Sequence, residues 1–301
     1  MTTLEGRTAL ITGAGRGLGR EHAIMFADLG ANVVVNDNGA GSDGSGDDAG
    51  PAAEVVREIK ARGGEATAHV GSVSDWNTAK EMVDLAVDTY GKLDILVNNA
   101  GILRDRMLVN MSEAEFDSVI DVHLKGHFCP SRHAAAYWRD MAKAGTPVDA
   151  AIINTSSGSG LRGNPGQTNY AAAKAGIAIM TVIHARELER YGVRVNAIAP
   201  IARTRLTEAT PGLGDRINAD GTSGFDKWSP ENISPLVAWL ALAGNKVSGQ
   251  VFGVFGGHIG WQQGWVEQEA HDLDRQWQVH EIAEALAHIP AGPPEFSGVA
   301  S

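Results

Sequence analysis

The chain has 301 residues, 43% of them hydrophobic, and a formal net charge of −11, which is enough apolar material for one large globular domain with a sizeable core. The acidic balance shows no basic patch and argues against a nucleic-acid binder, and no window offers the ~18 uninterrupted apolar residues of a membrane helix. A single cysteine, Cys129, excludes an internal disulfide and suits a reducing compartment. The opening MTTLEGRTALITGAG meets acids, a base and glycines too early for a secretory leader, so a soluble cytoplasmic protein is expected.

The first apolar run, RTALITGAG, ends in glycines, and RGLGREHAIMFADLGA follows with apolar residues at helical spacing. NVVVND reads as a buried strand and NGAGSDGSGDDAGP as a glycine–aspartate loop, and Pro51 suits the first turn of a helix over PAAEVVREIKARGG. EATAHVGSV is the third strand, SDWNTAKEMVDLAVDTYG a helix with Ser74 or Asp75 as N-cap, and KLDILVNNAG the fourth strand. A long helix is expected from about Ser112 into the 140s, broken by GTPVD before the strand AAIINTSS. The helix NYAAAKAGIAIMTVIHARELERYG, the strand VRVNAIAP, a polar loop to about Ser229, a helix near residues 231–243 and a last strand GQVFGVFGG complete the pattern. This alternation predicts an α/β fold of Rossmann type, a doubly wound parallel sheet with helices on both faces. One catalytic domain is expected over residues 1–260. The remainder, 261–301, reads as an extension laid on the domain or on a neighbouring subunit, with a short helix at HEIAEALAH before PAGPPEFSG.

TGAGRGLG closes the first strand. It fits T-G-x-x-x-G-x-G through Gly13, Gly17 and Gly19, and misses G-x-G-x-x-G because Leu18 stands third after Gly15. Glycines there let a pyrophosphate approach the N-terminus of the following helix, where free N–H groups favour an anion; the plainer reading is a tight strand-to-helix turn. Asp37 ends the second strand, where a carboxylate accepts hydrogen bonds from both ribose hydroxyls and repels a 2′-phosphate, so NAD is expected over NADP. Arg16 can meet the pyrophosphate in either case. The plainer reading of Asp37 is an Asx turn before Gly39.

Tyr170 and Lys174 stand four apart on a helix and so share a face. A free phenol is a poor base at neutral pH, but a neighbouring ammonium stabilises phenolate. Ser157 ends the strand AIINTSS at the carboxyl edge of the sheet, where ligands bind in such folds. The three together would form a proton-handling unit; alternatively, Tyr170 packs and Lys174 reaches solvent.

Taken together, TGAGRGLG, NNAG at 98–101, SS at 156–157 and YAAAK at 170–174 resemble the short-chain dehydrogenase/reductase family in order and spacing, over residues 5 to about 257. The resemblance implies that Tyr170 is the general acid/base, that Lys174 binds the nicotinamide ribose and lowers the tyrosine pKa, and that Ser157 holds the substrate oxygen. It implies cofactor contacts at Gly13, Arg16, Gly17, Leu18 and Gly19, at Asp37, and at Ser72 and Val73 beside the adenine. Asn98, Ala100 and Gly101 along the sheet, Tyr170 and Lys174 themselves, and Pro200, Ile201 and Thr204 near the carboxamide complete the set. One departure is His123 in DVHLKG, where the family often has asparagine; its backbone carbonyl can still anchor a proton-relay water. VVVND with its glycine-rich insertion, NNAGILRDR, VHLKGHF and GNPGQTNYAAAKAG are similar to the (3R)-hydroxyacyl-CoA dehydrogenase branch of peroxisomal multifunctional β-oxidation enzymes, implying NAD and a 3-hydroxyacyl thioester.

Arg104, Arg106, Arg203 and Arg205 could meet CoA phosphates or be plain surface arginines. Asp43, Ser45, Asp47 and Glu54 faintly resemble a calcium loop, but Asp48 stands where the turn needs glycine, so no metal is expected. A secondary-alcohol or steroid dehydrogenase without CoA, a non-catalytic NAD sensor and a structural subunit are the rival readings. Family resemblance implies a homotetramer.

Overall fold

The computed structural model describes residues 3–46, 50–208 and 224–289. Eight strands form one sheet: β1 (Thr8–Thr12), β2 (Asn32–Asn36), β3 (Glu65–His69), β4 (Ile95–Asn98), β5 (Ala150–Thr155), β6 (Val193–Pro200), β7 (Val251–Phe255) and β8 (His258–Gln262). Their order is β3-β2-β1-β4-β5-β6-β7-β8, parallel throughout except for antiparallel β8.

Helices cover both faces, which explains why the strands read as continuous apolar runs rather than alternating ones. Ala9 and Ile11, Val33 and Val35, Ile95 and Val97, Ala151 and Ile153 face one core with Phe26, Ile59 and Val237. Their neighbours Leu10, Val34, Leu96 and Ile152 face the other, with Met82, Val83 and Trp138. Each fully buried aliphatic side chain contributes about 1.5–3 kcal/mol relative to exposure, so both faces of every central strand are energetically specified.

The helices are α1 (Gly17–Asp28), α2 (Gly50–Ala61), α3 (Trp76–Tyr90), α4 (Glu113–Ile120), α5 (Gly126–Lys143), α6 (Gly158–Arg162), α7 (Thr168–Leu188), α8 (Arg205–Glu208), α9 (Ser234–Ala241) and α10 (Val279–Ala285). Asp75, not Ser74, caps α3 by accepting from the Thr78 N–H at 2.7 Å. The expected long helix begins where sequence places it, at Ser112, with a reciprocal capping box to Glu115. It is not continuous: a π turn at Asp121–Lys125 separates α4 from α5. Residues 230–233 form a 3-10 turn before α9 rather than the first turn of one helix.

Two elements were not expected. α6 is a single short helix after Ser157, and β8 folds back on β7, so the compact unit runs to Gln262 instead of stopping at 260. The residues from Gln263 onward form a separate unit. Within it, α10 lies on the expected HEIAEALAH stretch, its start fixed by a capping box between Gln278 and Glu281. PAGPPEFSG and most of the polar loop before Ser229 lie outside the described residues. Among the described residues no helix is long and apolar enough to cross a membrane.

Candidate active site

The strand order reverses direction between β1 and β4, and a cleft of about 430 Å³ opens there at the carboxyl ends of the strands. Gly13, Arg16, Gly17 and Leu18 form its floor. Asp37 stands on one side with Ser72 and Val73, and Ala100, Gly101 and Thr204 close the other. Gly13 has φ +61°, and a Cβ there would lie 2.7 Å from the Ala100 Cα, so only glycine fits. Thr12 and Asn99 hold this turn. The Thr12 hydroxyl accepts from the N–H groups of Asn99 and Ala100 at 3.0 and 3.2 Å, and the Asn99 amide donates to the carbonyls of Thr12 and Gly13 at 3.0 and 3.1 Å.

The N-terminus of α1 has no side-chain cap, so its first N–H groups remain available to an anion. The Asp37 carboxylate accepts from the Gly15 N–H at 2.8 Å and the Gly39 N–H at 2.6 Å. The Asx turn and the cleft-lining carboxylate are thus the same residue. An open helix N-terminus, a glycine floor and a carboxylate at the end of β2 fit a dinucleotide. Arg205 also lines the cleft; burial first, and the Arg16 charge second, lower its pKa, while Asp37 opposes them. The glycine-rich segment after β2 adds Ala40, Gly41, Ser42 and Gly44 to the lining, which its turn-like composition did not reveal.

Several expected cofactor contacts sit elsewhere. Gly19 is buried behind the turn against Asn99. Asn98 is fully buried and spends its amide on Ser131 and Asn154, each at 2.9 Å, bracing β4 against α5 and β5. Pro200 and Ile201 follow the end of β6 outside the cleft lining.

The catalytic set is brought together by β5, α6 and α7. Ser157 ends the β5 segment as the N-cap of α6, accepting from the Ser159 N–H at 3.2 Å. Lys174 is 2% exposed and donates to the Thr155 carbonyl at 2.6 Å. Its ammonium lies 5.5 Å from the centre of the Tyr170 ring. Burial pulls Lys174 down to about 7. Burial pushes the half-buried Tyr170 phenol up to about 12, a hydrogen bond with Ser157 works against that rise, and the Asp105 charge adds to it. The site therefore strips water from both groups, and each then resists its charged form.

His123 lies in the π turn, fully buried, with its ring edge-on to Tyr170 at 5.1 Å between centres. Its Nε2 lies 2.8 Å from the Ile102 carbonyl and 3.1 Å from the Ile102 N–H; these need opposite tautomers, and the shorter contact decides for Nε2–H. A side chain at Gly101 would collide with this ring. Burial, then the Lys174 charge, hold His123 well below the usual histidine range, so it is neutral.

His127 was not anticipated. It is 1% exposed, the carbonyls of His123, Asn98 and Thr155 approach its ring, and burial and Lys174 keep it neutral. It thus stands behind Lys174 beside the carbonyl expected to anchor a relay water. Its place four residues after His123, one helical turn on, was the available signal. Of the four arginines considered for CoA, Arg104 donates to the Asp43 carbonyl, Arg106 pairs with Glu115 and Arg203 is bidentate to Asp226. Arg205 belongs to the cleft.

Against known proteins, residues 7–212 match the short chain dehydrogenase family model. The chain is 48% identical over 265 residues to hydroxyacyl-CoA dehydrogenase ChsB1 of Mycobacterium tuberculosis, covering 86% of this chain and 80% of that protein. It is 43% identical to the peroxisomal hydratase-dehydrogenase-epimerase of Saccharomyces cerevisiae over 84% of its own length but only 26% of the yeast protein. In structure it resembles a short chain dehydrogenase from Mycobacterium avium, with a TM-score of 0.84 and 52% identity over 95% of this chain and 94% of that one.

Proposed function

We propose that this chain, which belongs to the short chain dehydrogenase family, is an NAD-dependent oxidoreductase that interconverts the secondary alcohol and ketone of a 3-hydroxyacyl-CoA thioester. The observation that carries the reading is the convergence of Ser157, Tyr170 and Lys174 beside a cleft fitted to a dinucleotide. The substrate class is supported by the relative named as a hydroxyacyl-CoA dehydrogenase, nearly half identical over most of both chains.

When bound, nicotinamide accepts the hydride of the carbinol carbon and, oxidised, brings a positive charge to the site. In the oxidative direction Tyr170 takes the hydroxyl proton as the C–H bond breaks. Its phenolate must form against the burial that raises its pKa, and two groups oppose that cost: the Lys174 ammonium and the Ser157 hydrogen bond. Ser157 also donates toward the developing carbonyl oxygen. Lys174 can itself titrate near neutrality, and the neutral His123 and His127 surround it without competing positive charge.

NAD rather than NADP is favoured by the Asp37 carboxylate in the cleft, although Arg16 and Arg205 temper its field. We read the protein as a cytoplasmic homotetramer on family grounds. The test is NADH formation by wild type and Tyr170→Phe with NAD or NADP and a panel of 3-hydroxyacyl-CoAs, steroid alcohols and simple secondary alcohols. Turnover of the CoA esters that disappears in the variant supports the reading. Turnover of free alcohols alone overturns the thioester assignment, and tight NAD binding without turnover favours a sensor.

A further inference from the structure

A carboxylate stands near the catalytic tyrosine without a role in the scheme above. Asp105 lies in the segment between β4 and α4, and its charge is felt at Tyr170. Its Oδ2 accepts from the Gln167 amide nitrogen at 2.7 Å. Gln167 is 4% exposed, and its amide oxygen accepts from the Ser159 hydroxyl at 2.8 Å and from the Asn164 amide at 2.9 Å. Two donors on the oxygen and a carboxylate on the nitrogen admit one orientation of that amide. Ser159 in turn donates its N–H to the Ser157 hydroxyl oxygen at 3.2 Å. An unbroken chain of hydrogen bonds therefore joins Asp105 to Ser157.

The backbone reinforces it. Arg106 donates its N–H to the Gly166 carbonyl at 2.8 Å, and the Asn169 amide donates to the Arg104 carbonyl at 3.0 Å. The Asp105 segment is thus clipped to the start of α7, the helix that carries Tyr170. The second carboxylate oxygen, Oδ1, is buried with no hydrogen-bond partner among the described residues. Both flanking arginines are turned elsewhere, Arg104 to Asp43 and Arg106 to Glu115. A negative charge so placed opposes ionisation of the phenol, so the useful property of Asp105 is its capacity to accept a hydrogen bond.

We propose that Asp105 is a positioning residue: through Gln167 and Ser159 it fixes the Ser157 hydroxyl where the substrate oxygen docks. The inference rests on Ser157 being the group that receives that oxygen. The groups facing the phenol are Asp105, Ser157 of the β5–α6 junction, His123 of the π turn and Lys174 of α7 itself. Of these only Asp105 opposes phenolate with a full negative charge.

The test is steady-state kinetics on Asp105→Ala, Gln167→Ala, their double variant, Asp105→Asn and Ser157→Ala, with NAD affinity and melting temperature measured for each. Asp105→Ala and Gln167→Ala are each expected to lower kcat about 10- to 100-fold with NAD affinity unchanged. The double variant should be no worse than the poorer single one, because both break the same chain. Asp105→Asn keeps an acceptor for Gln167 and removes the charge, so it should restore most of kcat. It should also move the acid limb of the oxidation pH profile to lower pH, which a purely structural role would not do. Losses that multiply, an Asp105→Ala enzyme like wild type, or an Asp105→Asn profile that does not move each overturn the proposal. If Asp105→Ala fails to fold, the Asp105→Asn profile decides. An inactive Ser157→Ala beside an unaffected Asp105→Ala sinks only this inference, whereas a fully active Ser157→Ala sinks the assignment of Ser157 beneath it.

Discussion

The turn after β1 and the cluster between β5 and α7 share one edge of the sheet but are built from different materials. The turn works through backbone: glycines, open N–H groups at α1, and Asn99 and Thr12 pinning carbonyls and amides in place. The cluster works through side chains forced into an environment that disfavours their charges, Lys174 down to about 7 and Tyr170 up to about 12. A backbone site costs little beyond the loss of side chains. A buried ionisable site is strained electrostatically, and its reactivity and its instability have the same origin.

The sharpest way to break the contrast is Tyr170→Phe, which removes the acid/base and leaves the turn intact. Oxidation is expected to fall by about 10²–10⁴-fold or more while NAD titration is unchanged; a comparable loss of NAD binding would show that the two regions are not separable. Lys174→Met should also abolish most turnover, yet stabilise the fold. The sign follows from linkage: a lysine whose folded pKa is below its unfolded one penalises the native state fully below about pH 7. That penalty is relieved as pH rises from about 7 toward the ordinary lysine value. The melting temperature of wild type should therefore climb across that window, and that of Lys174→Met should not. Above about pH 10 the raised Tyr170 pKa acts oppositely, since the unfolded phenol loses its proton first and stability declines toward pH 12.

On the backbone side, Gly13→Ala must adopt φ +61° and meet Ala100, at a cost of about 2–4 kcal/mol. It should weaken NAD binding and lower the melting temperature together, in contrast to the opposed effects at Lys174. Asn99→Ala has the smallest expected effect, about 1–2 kcal/mol of stability with a raised KM for NAD and unchanged kcat, read by denaturant titration and initial rates.

What could be read in advance follows the same division. The strand order, the glycine turn and the Ser157, Tyr170 and Lys174 set were legible, because fixed spacings on regular elements determine which side chains share a face or an edge. His127, Asp105 and Gln167 were not, because their meaning depends on which distant segments meet: Asp105 reaches Gln167 across 62 positions. Likewise β8 is too rich in glycine and exposed residues to read as a strand, and becomes one only because β7 offers a free edge. Asn98 was placed along the cofactor by its motif, but the partners that claim its amide lie on α5 and β5.

The π turn at Asp121–Lys125 accommodates one residue more than an α-helix would, and so sets the angular phase of everything after it. Upstream, α4 faces α7, where the Glu115 carbonyl receives the Asn169 amide. Downstream, Ser131 must meet Asn98 and Trp138 must reach the Leu93 carbonyl, at 2.9 and 2.6 Å. Removing a single codon within the turn would rotate α5 by roughly 100° relative to α4, swinging His127 away from Lys174 and Trp138 out of the core. A one-residue deletion here should therefore be far more damaging than most substitutions at the same positions, because it acts as a change of gear between two halves of one helical rod.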